Sequence, residues 1–197
     1  MRLLSSFAFL LLLTTAAALN LPADAQEGIA VHFLDDDDND VYIHETDFAQ
    51  YNITLEERLP DPPLPTFPEL PTSLAKRGLP SGDQINCEYN KPVDVTEFHN
   101  GMIYFADQLG CGVSIDTNHF ARYKYVALIQ WYGSTVLYTC NYSGAKRTYL
   151  GPTLVGYMVQ VFTWCNKQSV AGWYFDNYRK VSWGVTSRNN GYCGPAQ

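Results

Sequence analysis

Past its first dozen or so residues the 197-residue chain has no long apolar run, and charged side chains make up only 17% of it against 46% hydrophobic ones. The first shortage excludes a polytopic membrane protein, which needs repeated stretches of about 20 apolar residues. The second excludes wholesale disorder, because there is enough apolar surface to build a core. Histidines number four, none lies beyond His119, and no two of the five cysteines form a C-x-x-C pair. Zinc-site spacing is therefore missing, and neither metal nor cofactor is expected. No G-x-S-x-G elbow, P-loop or H-E-x-x-H motif occurs, which removes common hydrolase and nucleotide signatures. No segment repeats at a period of roughly 20 to 50 residues, so a solenoid is not expected.

What is present changes along the chain. Arg2 precedes an apolar stretch, Leu3 to Leu13, and Ala16, Ala17 and Ala18 follow. A basic start, a short apolar run and an A-x-A site predict a secretory signal peptide over residues 1–18, cut after Ala18. Residues 19–77 then carry the run Asp35 to Asp38 with Asp40, followed by Pro60, Pro62, Pro63, Pro65, Pro68 and Pro71. That composition predicts a pro-segment with no core or sheet ladder of its own. It ends at Lys76-Arg77, read as a dibasic processing site because the composition breaks there. Charge divides at the same point. Residues 19–77 hold 13 acidic and 3 basic side chains, a net of −10, whereas residues 78–197 hold 7 and 9, a net of +2.

Residues 78–197 hold all four tryptophans, twelve of the fourteen tyrosines and all five cysteines. One disulfide-stabilised domain is expected there. Cys87, Cys111, Cys140, Cys165 and Cys193 are an odd set, allowing two bridges and one cysteine that is free or pairs between chains as a disulfide-linked dimer. The sequence does not select among the pairings. Asp94 and Glu97 have capping-box spacing, and Val95, Phe98, Met102, Phe105 and Leu109 recur at helical intervals up to Gly110. A second helix starts at Gly151-Pro152, with Leu154, Met158, Val161, Phe162 and Cys165 on one side. Tyr123 to Trp131 and Thr135 to Asn141 alternate around a Gly133-Ser134 turn, and Val170 to Phe175 and Lys180 to Thr186 form a second hairpin. The expected fold is α+β, a two-layer sandwich of about five antiparallel strands with two helices on one face.

Catalytic candidates are few. A small secreted ribonuclease needs a base, an acid and a phosphate-binding cation, and Glu97, His119 and Arg122 are the residues that fit those roles. A glycosidase needs two opposed carboxylates, and the seven acids are scattered. The aromatic residues are the richer signal. Alternation sends about half of Tyr123, Tyr125, Trp131, Tyr138, Trp173 and Trp183 and their neighbours inward, leaving the rest for a surface that binds a glycan, a membrane component or a protein. A net charge of +2 is too small for specific nucleic-acid binding. Asn141-Tyr142-Ser143 and Asn52-Ile53-Thr54 are N-glycosylation sequons.

Several short features together resemble small secreted fungal proteins of the killer-toxin-like and necrosis-inducing effector kind. They are the dibasic site followed by Ile85-Asn86-Cys87, the first helix, the hairpin Tyr132 to Asn141, a helix ending in Trp164-Cys165, a further hairpin and a terminal Cys193. The resemblance implies an α/β sandwich and a non-enzymatic activity outside the producing cell: host cell death, antagonism of competing fungi or defence modulation. Such proteins usually carry a larger, even set of cysteines, and here Ala127 and Leu128 occupy the strand where one would stand. No toxin-active residue is carried over.

Overall fold

The computed structural model describes residues 18–35, 37, 39–51, 53–55, 81–109, 113–115, 126–143, 147–149, 151–165 and 169–194. Residues 1–17 of the expected signal peptide, the pair Lys76-Arg77, and Asn52, Cys111, His119 and Arg122 lie outside them. No described helix is long and apolar enough to cross a membrane.

The two helices form where the periodicity places them. Helix α1 (Val95–Leu109) is capped by Asp94, whose Oδ1 accepts the Glu97 amide at 2.9 Å. It buries Phe98, Met102 and Phe105. Helix α2 (Gly151–Trp164) buries Leu154, Met158 and Val161, and Phe162 stacks on Phe98 of α1 at 5.7 Å between centroids. Both hairpins are also present. Strand β6 (Val126–Tyr132) returns as β7 (Thr135–Asn141) through Gly133, which adopts φ +61°, and β9 (Val170–Asp176) returns as β10 (Val181–Ser187).

The main sheet is larger than the expected five strands. Seven antiparallel strands run in the order β2-β1-β6-β7-β10-β9-β4, with β1 at Gly28–Leu34, β2 at Asp40–His44 and β4 at Gln84–Pro92. A second, three-stranded sheet joins β3 (Thr54–Leu55), β5 (Val113–Ile115) and β8 (Arg147–Tyr149). A 3-10 helix, Glu45–Tyr51, follows β2. The α+β class stands, with two α-helices and this additional short one.

The expectation that residues 19–77 form no ladder is corrected. Strand β1 is an interior strand, with Gly28 to Phe33 opposite Trp131 to Val126 of β6 and Ala30 to Leu34 opposite His44 to Asp40 of β2. The physical reason is local. Gly-Ile-Ala-Val-His-Phe-Leu is rich in β-formers and is buried on both faces, although acidic and proline-rich stretches surround it. Part of the aspartate run is its turn, since Asp35 Oδ1 accepts the amides of Asp37 and Asn39, each at 2.9 Å.

Alternation sorts the strands onto two faces. Ile29, Val31, Leu128, Leu137, Trp183 and Val185 share one core with the buried faces of α1 and α2. Ala30, Ala127, Ile129, Trp131, Val136 and Tyr138 form a second cluster on the opposite face, with Leu19, Tyr192 and Cys193. One disulfide serves each face. Cys87 of β4 joins Cys165 at the end of α2, Cα to Cα 5.2 Å, and Cys140 of β7 joins Cys193 at 5.6 Å. The first bridge needs Gly172 on β9, because a Cβ there would lie 2.6 Å from Cys165 Sγ.

Candidate functional site

The helix-free face of the main sheet is covered over only part of its width. A strap made of the chain on either side of Leu19 and the segment leading to Cys193 lies over β1, β6 and β7. Leu19 and Tyr192 exchange both backbone hydrogen bonds at 2.8 Å, and the side chains of both are buried. Arg188 reaches Ala23 O at 3.3 Å and stacks its guanidinium 4.2 Å from the Trp131 ring centre. Over β10, β9 and β4 the face opens into a groove of about 260 Å³.

Strand geometry decides what lines this groove. Trp173 and Phe175 alternate outward from β9, Ser182 from β10, and Gln84, Asn86 and Glu88 from β4. Trp173 stands in register with Asn86 on one side and Gly184 on the other. Gly184 is a requirement of the floor, because a Cβ there would overlap the Tyr138 ring, which lies across it. Tyr138 stacks on Tyr192, ring centroids 5.5 Å apart, so floor and strap share one aromatic contact. Tyr142 packs edge-on to Phe175 at 6.1 Å and its hydroxyl lies 3.3 Å from Ser182 Oγ. Burial pushes the Tyr138 hydroxyl well above its ordinary pKa, with the Glu88 carboxylate adding to it, so it stays neutral. Lys91 donates to Glu88 at 2.7 Å, so the two charges at the rim are paired with each other. The groove therefore offers aromatic rings, the exposed amides of Gln84 and Asn86, and a hydroxyl, with its two charges balanced.

Beside the groove lies a histidine that composition concealed. His32 of β1 is fully buried, and its Nδ1 lies 2.6 Å from the Tyr192 hydroxyl while Nε2 lies 3.2 Å from Asp40 Oδ1. One neutral tautomer satisfies both contacts: Nε2–H donates to the carboxylate and Nδ1 accepts from the tyrosine. Burial lowers the His32 pKa, and the Asp40 carboxylate opposes that shift without reversing it. The short run Ile29 to Leu34, rich in β-formers, is the signal that could have placed this residue on a buried strand.

Of the three catalytic candidates only Glu97 lies among the described residues. Glu97 Oε2 accepts the Ser134 amide at 2.7 Å, the Ser134 hydroxyl at 2.6 Å and the Thr135 hydroxyl at 3.2 Å. It thus clamps the first turn of α1 to the β6–β7 turn, where the capping-box spacing had it reaching back to Asp94. The other two members of that set, His119 and Arg122, lie outside the described residues. Two more carboxylates meet at the β9–β10 turn. Asp176 accepts the Arg179 amide at 2.8 Å and the Tyr157 hydroxyl at 2.7 Å, while Asp83 accepts the Asn177 amide at 3.0 Å and the Tyr174 hydroxyl. All of these are turn and packing contacts, and the Asp176 contact helps to push the Tyr157 hydroxyl up to about 12, after burial as the larger cause. Asn141 ends β7 half-buried, its Oδ1 accepting the Ser143 amide at 3.0 Å and hydroxyl at 2.6 Å. No three His, Cys, Asp or Glu residues among those described are placed to hold a metal ion. Comparison of the chain with protein-family models, with curated proteins and with solved structures returns no match.

Proposed function

We propose that the chain is a secreted, disulfide-stapled protein that acts outside the producing cell by binding, as a toxin-like effector, and that the groove over β4, β9 and β10 is its binding face. One observation carries the reading. The groove is held in shape before any ligand arrives, with Tyr138 fixed across Gly184 and one wall tied to β7 through Cys140–Cys193. A preformed concave site loses little ordering entropy on binding, and mixed aromatic and polar lining is what fixes a ligand's orientation. Two disulfides suit an oxidising compartment, in keeping with a secretory route.

A second reading, attachment to a cell-wall carbohydrate, is favoured by the lining itself. Trp173 and Phe175 offer apolar rings to a sugar face, Gln84 and Asn86 offer amides to its hydroxyls, and the paired Glu88 and Lys91 leave little net charge. The two readings separate in one comparison. The oxidised protein and its Trp173→Ala variant are applied to plant leaf tissue and to fungal lawns, and both are passed over chitin and β-glucan. The toxin-like reading expects cell death or growth arrest from the parent and its loss in the variant, with the urea midpoint unchanged. Activity retained by the variant would remove the groove from the mechanism. Silence on both tissues, with retention on a polysaccharide that Trp173→Ala abolishes, would replace the first reading with the second.

A further inference from the structure

Going beyond the binding reading, we propose that residues 19–55 are a permanent part of the working protein: cleavage after Arg77 yields a two-chain molecule held without a covalent bond, and no pro-segment is released. The sheet order is the main argument. Strand β1 sits between β2 and β6, so removing the segment would strip an interior strand and leave β6 as a raw edge. Both faces of β1 are committed. Ile29, Val31 and Phe33 are buried in the core beneath the helices, and Ala30 and His32 are buried on the opposite face.

The attachment continues outside the sheet. Leu19 is fully buried and exchanges two backbone hydrogen bonds with Tyr192. Glu27 Oε1 accepts the Gly133 amide at 3.1 Å, tying the segment to the β6–β7 turn, and His32 meets the Tyr192 hydroxyl. Strand β3 adds a third point, pairing Thr54 with Ser114. The charge division works in the same direction, because a segment of net −10 is attracted to a partner of net +2. All five cysteines lie at or beyond Cys87, so no disulfide can join the two pieces. Packing, ladder hydrogen bonds and charge are what remain.

The test starts from the folded, oxidised chain lacking its first 18 residues. It is nicked with a dibasic-specific endoprotease, and the cut is verified by two masses under denaturing conditions. The nicked sample is then run on a sizing column in native buffer, with native mass spectrometry of the peak. A parallel variant carries an unrelated protease's recognition sequence in place of Ala75-Lys76-Arg77. The proposal expects both nicked samples to elute as one species with the mass of the uncut protein, and to separate only in denaturant. Separate elution of the N-terminal fragment in native buffer would overturn it. So would a native dibasic pair that resists the protease while the substituted site is cut, since processing is half of the proposal.

Discussion

Replacing both Cys140 and Cys193 with alanine probes the staple that holds the C-terminal strap. The bridge closes a loop with a sequence separation of 53 residues. In the chain-entropy account, opening a loop of that length returns about 14 cal/mol/K to the unfolded chain, or about 4 kcal/mol at 25 °C. For a protein of this size each kcal/mol moves the melting temperature by about 2–4 °C, so a fall of about 8–16 °C is expected. Urea titration of parent and double variant, followed by tryptophan fluorescence, measures the same quantity independently. Both cysteines are buried in the second cluster, so the two alanines also take two packed sulfur atoms from it and any packing loss adds to the fall. The structure adds a second readout. Cys193 and Tyr192 form one wall of the groove, so any ligand found for it should bind the double variant more weakly even well below the melting temperature. A stability loss under about 1 kcal/mol would refute the reasoning, because strap, β1 and sheet would then fix the C-terminus without the bond.

Three further predictions follow from single residues. His32 has a lowered pKa in the folded state, so below about 6.5 the unfolded chain binds the proton first and stability falls as pH falls. The difference in urea midpoint between the parent and His32→Gln should therefore narrow from pH 7.5 to pH 5, and parallel pH profiles would contradict it. Thr139 is fully buried with a hydroxyl that has no hydrogen-bond partner, so Thr139→Val should be neutral or stabilising by up to about 1 kcal/mol. A loss of more than about 1 kcal/mol on thermal unfolding would mean that the hydroxyl is satisfied after all. Glu97→Ala removes the acceptor of the three contacts that clamp α1 to the hairpin, costing roughly 1–3 kcal/mol by denaturant titration. If the same change abolished a ribonuclease activity with the fold intact, the catalytic role for Glu97 would gain over the structural one.

Features set by neighbours in sequence were legible, and those set by topology were not. Phe98, Met102 and Phe105 announce α1 through their spacing, and Asp94 announces its cap. Val136, Tyr138 and Cys140 announce one face of β7 through alternation. Strand β1 is masked in the sequence because its seven residues stand among aspartate and proline stretches, and its partner β6 lies far along the chain. Disulfide pairing is likewise a consequence of strand order. Cys87 meets Cys165 because β4 adds to the outer side of β9, beneath the end of α2. The groove was hidden for a different reason. Tyr138 and Trp173 alternate as regularly as the core-facing Leu137 and Tyr174, and only the extent of the strap decides which outward aromatics stay open.

The pairing of Ile29 with Gln130 also sets a timetable. Strand β1 is synthesised early and must wait about a hundred residues for the strand it joins, and such long-range pairings are slow to form. While the chain is continuous, the two strands search for each other within one molecule, at an effective concentration set by the length of chain between them. A cut made before they meet would turn that search into an encounter between separate molecules, leaving β6 unpaired and prone to aggregate. The proline-rich connection would then be needed as a tether during assembly and dispensable once the sheet has closed, so a protease acting at Lys76-Arg77 would have to arrive after folding.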